Sequence, residues 1–138
     1  MKPLFGAASP AKPTAAGTQQ TTKQKGDSAE ACALAHLQAA GLRLLSRNYR
    51  TPGRGGGEID LVMKGADGTL VFVEVRQRAG GSHGGAAGSV GRVKQRRIVF
   101  AARHYLMQLA SEPPCRFDVV LVEDANITWL RAAFDASS

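Results

Sequence analysis

A predicted β-hairpin between Gly57 and Arg78 constrains the fold of this chain more than any other feature. Residues 58–64 and 70–78 are two runs rich in β-branched and other apolar side chains. The short segment between them contains two glycines and an aspartate, which is typical of a hairpin turn. We therefore expect two adjacent antiparallel strands at the centre of a sheet.

The register of this hairpin brings two acids together. If Lys64 pairs with Leu70, Asp60 lies opposite Glu74 on the same face of the strand pair. The predicted acid-bearing face carries Glu58, Asp60, Val62, Phe72, Glu74 and Arg76, and the predicted core face carries Ile59, Leu61, Met63, Val71, Val73 and Val75. Facing carboxylates repel each other, and a divalent cation between them would reverse the sign of that interaction. The alternative is that the acids belong to the solvated face of the hairpin.

The segments around the hairpin predict an α/β fold in which one mixed sheet is flanked by helices. Before the hairpin we expect a helix over residues 28–40, which Asp27 or Ser28 caps and Gly41 ends, then an edge strand over 42–49 and a flexible glycine-rich loop over 51–57. After the hairpin we expect a helix over residues 89–110 that Ser89 caps. Strands over 116–122 and 127–130 and a short helical or frayed tail complete the chain. Asp118 is interpreted as a structural partner of Arg116 rather than a site residue.

Charge is distributed unevenly along the chain. From Val75 to Ser111 there is no acid, and the seven bases are Arg76, Arg78, Arg92, Lys94, Arg96, Arg97 and Arg103. Bases beside a carboxylate pair favour a polyanionic ligand, although a solubility patch would have the same composition. Glu30 falls at helical spacing with Leu34 and Leu37, which places an acid on the apolar stripe of the first helix.

Length and composition indicate a single domain at residues 27–138 preceded by a disordered basic tail at residues 1–26. The chain has 138 residues and a formal net charge of +7. We find no apolar run of signal-sequence or membrane-span length, and the spacing of Cys32 and Cys115 matches neither a zinc site nor a redox pair. A reduced cytoplasmic protein without a membrane partner is the expectation.

The hairpin motifs resemble a known family. Gly57-Glu58-Ile59-Asp60-Leu61 and Phe72-Val73-Glu74-Val75-Arg76 are similar to the signature of the YraN-type family of small bacterial proteins, which belongs to the restriction-endonuclease-like PD-(D/E)xK superfamily. The likeness extends to Lys25-Gly26-Asp27, Glu30, Asn48, Lys94 and residues 116–120. It implies an αβββαβ core and similarity to archaeal Holliday-junction resolvases, which are metal-dependent nucleases.

The resemblance also implies a site. Asp60 and Glu74 would hold Mg²⁺ or Mn²⁺ with the carbonyl of Val75 as a third ligand, and Glu30 would be an outer acid on the first helix. The sequence departs from the superfamily at Arg76, where lysine is most common. Since arginine stays cationic and cannot exchange a proton, an electrostatic role is expected of it. The predicted nucleic-acid contacts are Arg78, Arg92, Lys94, Arg96 and Arg97.

Two functions remain open at this point, with a protein-interaction adaptor as a weaker third. The first is a metal-dependent endonuclease that hydrolyses DNA phosphodiesters, especially in structured or branched DNA, for which a homodimer would suit a two-fold symmetric substrate. The second is a non-catalytic nucleic-acid-binding module that retains the nuclease fold. Arg76 in place of lysine favours the second somewhat.

Overall fold

A single mixed sheet forms the centre of the protein. The structure, a computed structural model, describes residues 22–78, 90–124 and 126–136. Its elements are α1 (Thr22–Ala39), β1 (Arg43–Arg50), β2 (Glu58–Lys64), β3 (Leu70–Arg78), α2 (Arg92–Leu106), β4 (Cys115–Glu123) and β5 (Asn126–Phe134). The strands lie in the order β1-β2-β3-β4-β5. Among the strand pairs of these residues, only β3–β4 is parallel. The predicted α/β class and mixed sheet are confirmed.

The hairpin of β2 and β3 has the predicted register. Leu61 pairs with Val73, and Lys64 pairs with Leu70. The turn is closed by the Gly65 N–H, which donates to the Thr69 carbonyl at 2.9 Å. The sequence pattern was sufficient here because the turn residues and the alternation of the strands specify the same register.

Helices cover both faces of the sheet, as the prediction of a sheet flanked by helices implied, and the alternative of a solvated acid-bearing face is wrong. The cluster beneath α2 contains Val62 and Phe72 from the predicted acid-bearing face, and both are fully buried. The cluster beneath α1 contains Leu61 and Val73. Ile59 packs beneath α2 rather than with Leu61, so the alternation of β2 is interrupted at Asp60. The two acids therefore adjoin a buried layer.

Helix α1 begins earlier than predicted and ends as predicted. It starts at Thr22 instead of near Ser28, because lysine and glutamine favour helix enough to carry it past Gly26. At its other end, Gly41 has a φ of 102°, and the Leu42 N–H donates to the Leu37 carbonyl, as in a Schellman cap. The rest of the predicted tail, residues 1–21, lies outside the described residues.

Helix α2 is shorter than predicted. Gly91 is its N-cap residue, and the predicted cap Ser89 lies outside the described residues. The helix ends at Leu106 instead of residue 110 because the N–H groups of Gln108 and Leu109 donate to carbonyls three residues back, as in a 3₁₀ turn. Its last turn is tied to β1, since the Tyr49 hydroxyl lies 2.5 Å from His104 Nδ1.

Strand β5 runs to Phe134, where the sequence predicted a helical or frayed tail. Asp118 on β4 explains the difference, because its carboxylate accepts hydrogen bonds from the Trp129 indole and from the Ala132 N–H. The same carboxylate receives three hydrogen bonds from the Arg116 guanidinium, as expected for a structural role. Within the part of the chain that the structure describes, neither helix has the length and apolar character that a membrane span requires.

Candidate carboxylate site

Asp60 and Glu74 meet where the ladder between β2 and β3 ends. The backbone pairs continue only as far as Leu61 and Val73. Beyond them the Val75 N–H donates to Asp60 Oδ2 at 2.8 Å, and the two carboxyl groups are close enough for each to shift the pKa of the other. The predicted meeting of these acids is therefore present in the structure.

Burial controls the protonation of this pair. Loss of solvent raises the pKa of Glu74 to about 7, and the neighbouring charge of Asp60 adds to the effect. Burial also raises the pKa of Asp60, although its hydrogen bond from the Val75 N–H opposes the shift. Burial and the charge of the neighbouring acid both disfavour a second negative charge on the pair. A bound cation or a retained proton would therefore stabilise it.

A lysine from α2 places a positive charge next to the pair. Lys94 Nζ lies 3.7 Å from Glu74 Oε2, and the Lys94 side chain is 37% exposed whereas that of Glu74 is only 10% exposed. The sequence predicted Lys94 as a phosphate contact only. Its ammonium lies at the carboxylates because Lys94 shares a helical stripe with the buried residues Ile98 and Ala101.

The other charged residues of the hairpin lie close by but have separate contacts. The charge of Arg76 lowers the pKa of Glu74, so this guanidinium is near the pair as predicted. Glu58, predicted opposite Arg76, instead forms an ion pair of 3.4 Å with Arg50 on β1. Its side chain is 38% exposed, and it is a surface neighbour of the site.

Glu30 approaches from α1 on the other side of the sheet. Burial raises its pKa, and the charge of Asp60 raises it further, which places Glu30 within electrostatic reach of the pair. Its carboxylate is 3.8 Å from the Arg47 guanidinium and accepts a hydrogen bond from Asn48. Asn48 has a φ of 51°, a left-handed conformation that asparagine tolerates better than most residues.

The glycine-rich loop before β2 is fixed at its base, although the sequence predicted a flexible loop. The Gly57 N–H donates to Thr51 Oγ1 at 2.8 Å, and the Thr51 N–H donates to the Gly57 carbonyl at 3.1 Å. A Cβ added to Gly57 would lie 1.9 Å from the Arg97 carbonyl oxygen. This contact sets the backbone of the loop directly on α2.

The predicted basic contacts separate into two groups. Arg97 lies on the loop side of α2, where its Nε donates to the Gly56 carbonyl at 3.4 Å. Arg92 and Arg96 instead border recesses shared with residues 132–136 at the β5 end. Arg78 lies at the end of β3, beside Glu123 of β4. The structure thus brings Lys94 and Arg97, but not Arg92 and Arg96, to the side of the carboxylates and loop.

The oxygen atoms at the site are compatible with a hard divalent cation. Among residues 22–78, 90–124 and 126–136, no three histidine, cysteine or acidic side chains converge as a ligand set. Two carboxylates are present, and the Val75 carbonyl faces the same neighbouring strand as its N–H, which is on the Asp60 side. Mg²⁺ is commonly held by one or two carboxylates and completes its shell with water, so the residues fit such an ion.

Comparison with known proteins identifies the family. Residues 29–122 match the profile of the "Uncharacterised protein family UPF0102". The chain belongs to family UPF0102. A "UPF0102 protein" of Albidiferax ferrireducens is 72% identical over 116 residues, which cover 84% of this chain and 91% of that protein. Another, from Paracidovorax citrulli, is 65% identical over 126 residues, covering 91% and 93%. The predicted YraN-type family is confirmed.

Sequence reasoning on this UPF0102 chain missed three contacts at the site. The position of the Lys94 ammonium could have been predicted from helical spacing, as that of Glu30 on α1 was. Lys94 stands four residues before Ile98 and therefore lies on the apolar stripe of α2. Arg47 and Asn48 gave no comparable signal. Their approach to Glu30 depends on how β1 lies beneath α1, which local periodicity does not specify.

Proposed function

We propose that this protein is a metal-dependent endonuclease that hydrolyses DNA phosphodiesters, in particular those of branched or otherwise structured DNA. The observation that carries the proposal is the largely buried carboxyl pair of Asp60 and Glu74, in which the pKa of both members is raised and which has the Lys94 ammonium beside it. The pair destabilises the protein at neutral pH through repulsion and desolvation. Such a cost is typical of functional sites.

The residues have distinct roles in this proposal. Asp60, Glu74 and the Val75 carbonyl would hold Mg²⁺ or Mn²⁺, which when bound polarises a phosphodiester and acidifies a coordinated water. Arg76 provides a guanidinium that can contact two phosphate oxygens at once. Lys94 provides an ammonium that can stabilise negative charge at the pair and on the reacting phosphate, and Arg97 contacts a flanking phosphate. Glu30 maintains the position of Arg47 and adds negative potential near Asp60.

The proposal includes membership of the PD-(D/E)xK superfamily. A PD-(D/E)xK nuclease similar to the archaeal Holliday-junction resolvases would have this order of strands and this pair of acids. A second function, a nucleic-acid-binding module without catalysis, is favoured by one observation. Among the described residues, no third acidic side chain converges on Asp60 and Glu74. Two carboxylates bind a metal ion less tightly than three would.

The deciding experiment is a cleavage assay with labelled four-way junction, flap, single-stranded and duplex DNA in Mg²⁺ and in Mn²⁺. Wild type should cleave, and Asp60→Asn and Glu74→Gln should not. Lys94→Met should lower the rate by at least about 100-fold, the usual effect of losing a group that stabilises charge in the transition state. Glu58→Gln is the matched control, because Glu58 is an exposed acid on the same strand and its loss should leave the rate unchanged.

The result also separates the two functions. Junction binding without cleavage in either metal, unchanged in the Asp60 and Glu74 variants, would support the binding module. Cleavage that persists in both variants would remove Asp60 and Glu74 from the proposal. Circular dichroism of every variant should accompany the assay, so that unfolding is not mistaken for a catalytic defect.

A further inference from the structure

The outer face of α2 has a row of exposed apolar side chains that the fold does not use. Val93, Phe100 and Met107 recur at intervals of seven residues and are 64%, 53% and 79% exposed. The inner face of the helix is occupied by Ile98, Ala101 and Ala102. We call Val93, Phe100 and Met107 the α2 stripe. Over two heptads it extends for about 21 Å along the helix.

Seven-residue spacing is the repeat by which one helix packs along another. Bases stacked on a protein need aromatic surfaces at successive positions, whereas the stripe offers one aromatic side chain between a valine and a methionine, each about 10 Å from the next. The spacing and chemistry of the stripe therefore fit the side chains of a helix better than the bases of a nucleic acid.

Charge beside the stripe indicates what kind of helix it fits. The charged residues of α2 are all basic apart from the titratable His104, and Arg96 and Arg103 border a recess next to Phe100. This recess of about 380 Å³ is also lined by Val99 and Asp135, and it is large enough for one apolar side chain. A second copy of the protein would bring its own arginines against these, which repel.

We propose that the α2 stripe is a docking surface for an amphipathic helix of another protein, with apolar residues at seven-residue spacing and glutamate or aspartate beside them. Phe100 and the adjoining recess form the anchor, and Arg96 and Arg103 pair with the acids. Phe100 stands six residues after Lys94, which places their side chains about 120° apart around the helix. Use of the α2 stripe is independent of the proposed nuclease activity.

A labelled peptide is the probe that tests this docking. It should be a 21-residue helical peptide with leucine at every seventh position and glutamate at the flanking positions, and fluorescence anisotropy should measure its binding to the full chain. Phe100→Ser should weaken binding by at least about tenfold, as expected for a central anchor. Arg96→Glu with Arg103→Glu should weaken it too, and the wild-type affinity should fall with salt.

Three controls make the result specific. Leu45→Ser removes a comparably exposed apolar residue, 39% exposed, from β1 instead of α2 and should change nothing. A peptide with lysine in place of glutamate should not bind. Since Phe100 is largely exposed, Phe100→Ser should unfold at the wild-type temperature.

The proposal is overturned by any of four outcomes. The first is that wild type does not bind the acidic peptide at about 100 μM, a weak affinity even for transient contacts. The second is that acidic and basic peptides bind equally. The third is that Phe100→Ser weakens binding of a single-stranded DNA 20-mer but not of the peptide. The fourth is that sedimentation shows a self-association that Phe100→Ser abolishes, which would make the partner a second copy.

Discussion

At the scale of single residues, the carboxyl pair determines how the protein responds to pH. The pKa of Glu74 is about 7 in the folded protein, against an ordinary value of 4.5, because burial and the Asp60 charge disfavour its ionised form. Between those two pH values the folded state binds more protons than the unfolded state. The free energy of unfolding therefore falls as pH rises through this window.

The expected loss for the metal-free protein is up to about 3 kcal/mol from pH 4.5 to pH 7. Thermal unfolding in EDTA at several pH values measures it. Glu74→Gln removes the titrating group, so its unfolding temperature should depend less on pH. Equal pH dependence in wild type and Glu74→Gln would contradict the assignment.

Millimolar Mn²⁺ or Mg²⁺ should raise the wild-type unfolding temperature at neutral pH, and Asp60→Asn should abolish that gain.

Gly57 gives a second prediction at this scale. A Cβ there would lie 1.9 Å from the Arg97 carbonyl oxygen and 3.1 Å from the Ala101 nitrogen. Because both are backbone atoms of a helix, they cannot move aside as a side chain does. Gly57→Ala should lower the free energy of unfolding by about 2 kcal/mol or more, as measured by urea denaturation.

A matched glycine provides the control for this experiment. Gly26 lies within α1, and a Cβ added to it would have no described atom within 4 Å apart from those of its own helix turn. Gly26→Ala should stabilise the protein by up to about 1 kcal/mol, since alanine is the better helix former. If Gly57→Ala were equally harmless, the loop would not pack on α2 as described.

At the scale of elements, a single buried carboxylate on β4 adds side-chain hydrogen bonds to the backbone ladder that joins β4 and β5. Asp118 is 1% exposed, and it receives hydrogen bonds from Arg116 on its own strand and from Trp129 and Ala132 on β5. Removing its charge leaves the Arg116 guanidinium without its anionic partner. The edge of the sheet therefore depends on a polar group in the interior.

Asp118→Asn should lower the free energy of unfolding by about 3 kcal/mol, which is typical when one partner of a buried ion pair is lost. Hydrogen exchange should show the loss of protection concentrated in β5 and the adjacent part of β4. Asp124→Asn is the control, because Asp124 is exposed in the turn before β5 and asparagine tolerates its φ of 52°. Its effect should be within about 0.5 kcal/mol.

At the scale of the whole molecule, α2 separates its bases onto two sides. Lys94 and Arg97 lie toward the carboxylates and the loop, whereas Arg92 and Arg96 lie toward the β5 end. If DNA reaches the carboxyl pair, it contacts the first pair of bases. Sequence patterns alone predicted that these four bases belong to one nucleic-acid-binding surface.

DNA binding at several salt concentrations tests this separation. Lys94→Gln with Arg97→Gln should weaken binding to a junction and reduce the salt slope by nearly one unit for each lost phosphate contact. Arg92→Gln with Arg96→Gln removes the same charge and should change the slope less. Equal effects of the two pairs would mean that the charge of the whole domain, rather than the site, attracts the nucleic acid.

The sequence by itself determined the hairpin, its register and the meeting of Asp60 with Glu74, because turn residues and two-residue alternation act over short distances along the chain. It also determined the class of fold, since the order of helices and strands leaves few ways to bury their apolar faces. The burial of the acid-bearing face, the approach of Arg47 to Glu30, and the docking of the Gly57 loop on α2 were decided only by the tertiary structure. These contacts join residues distant in sequence, and they depend on how the helices lie across the sheet, which no local pattern encodes.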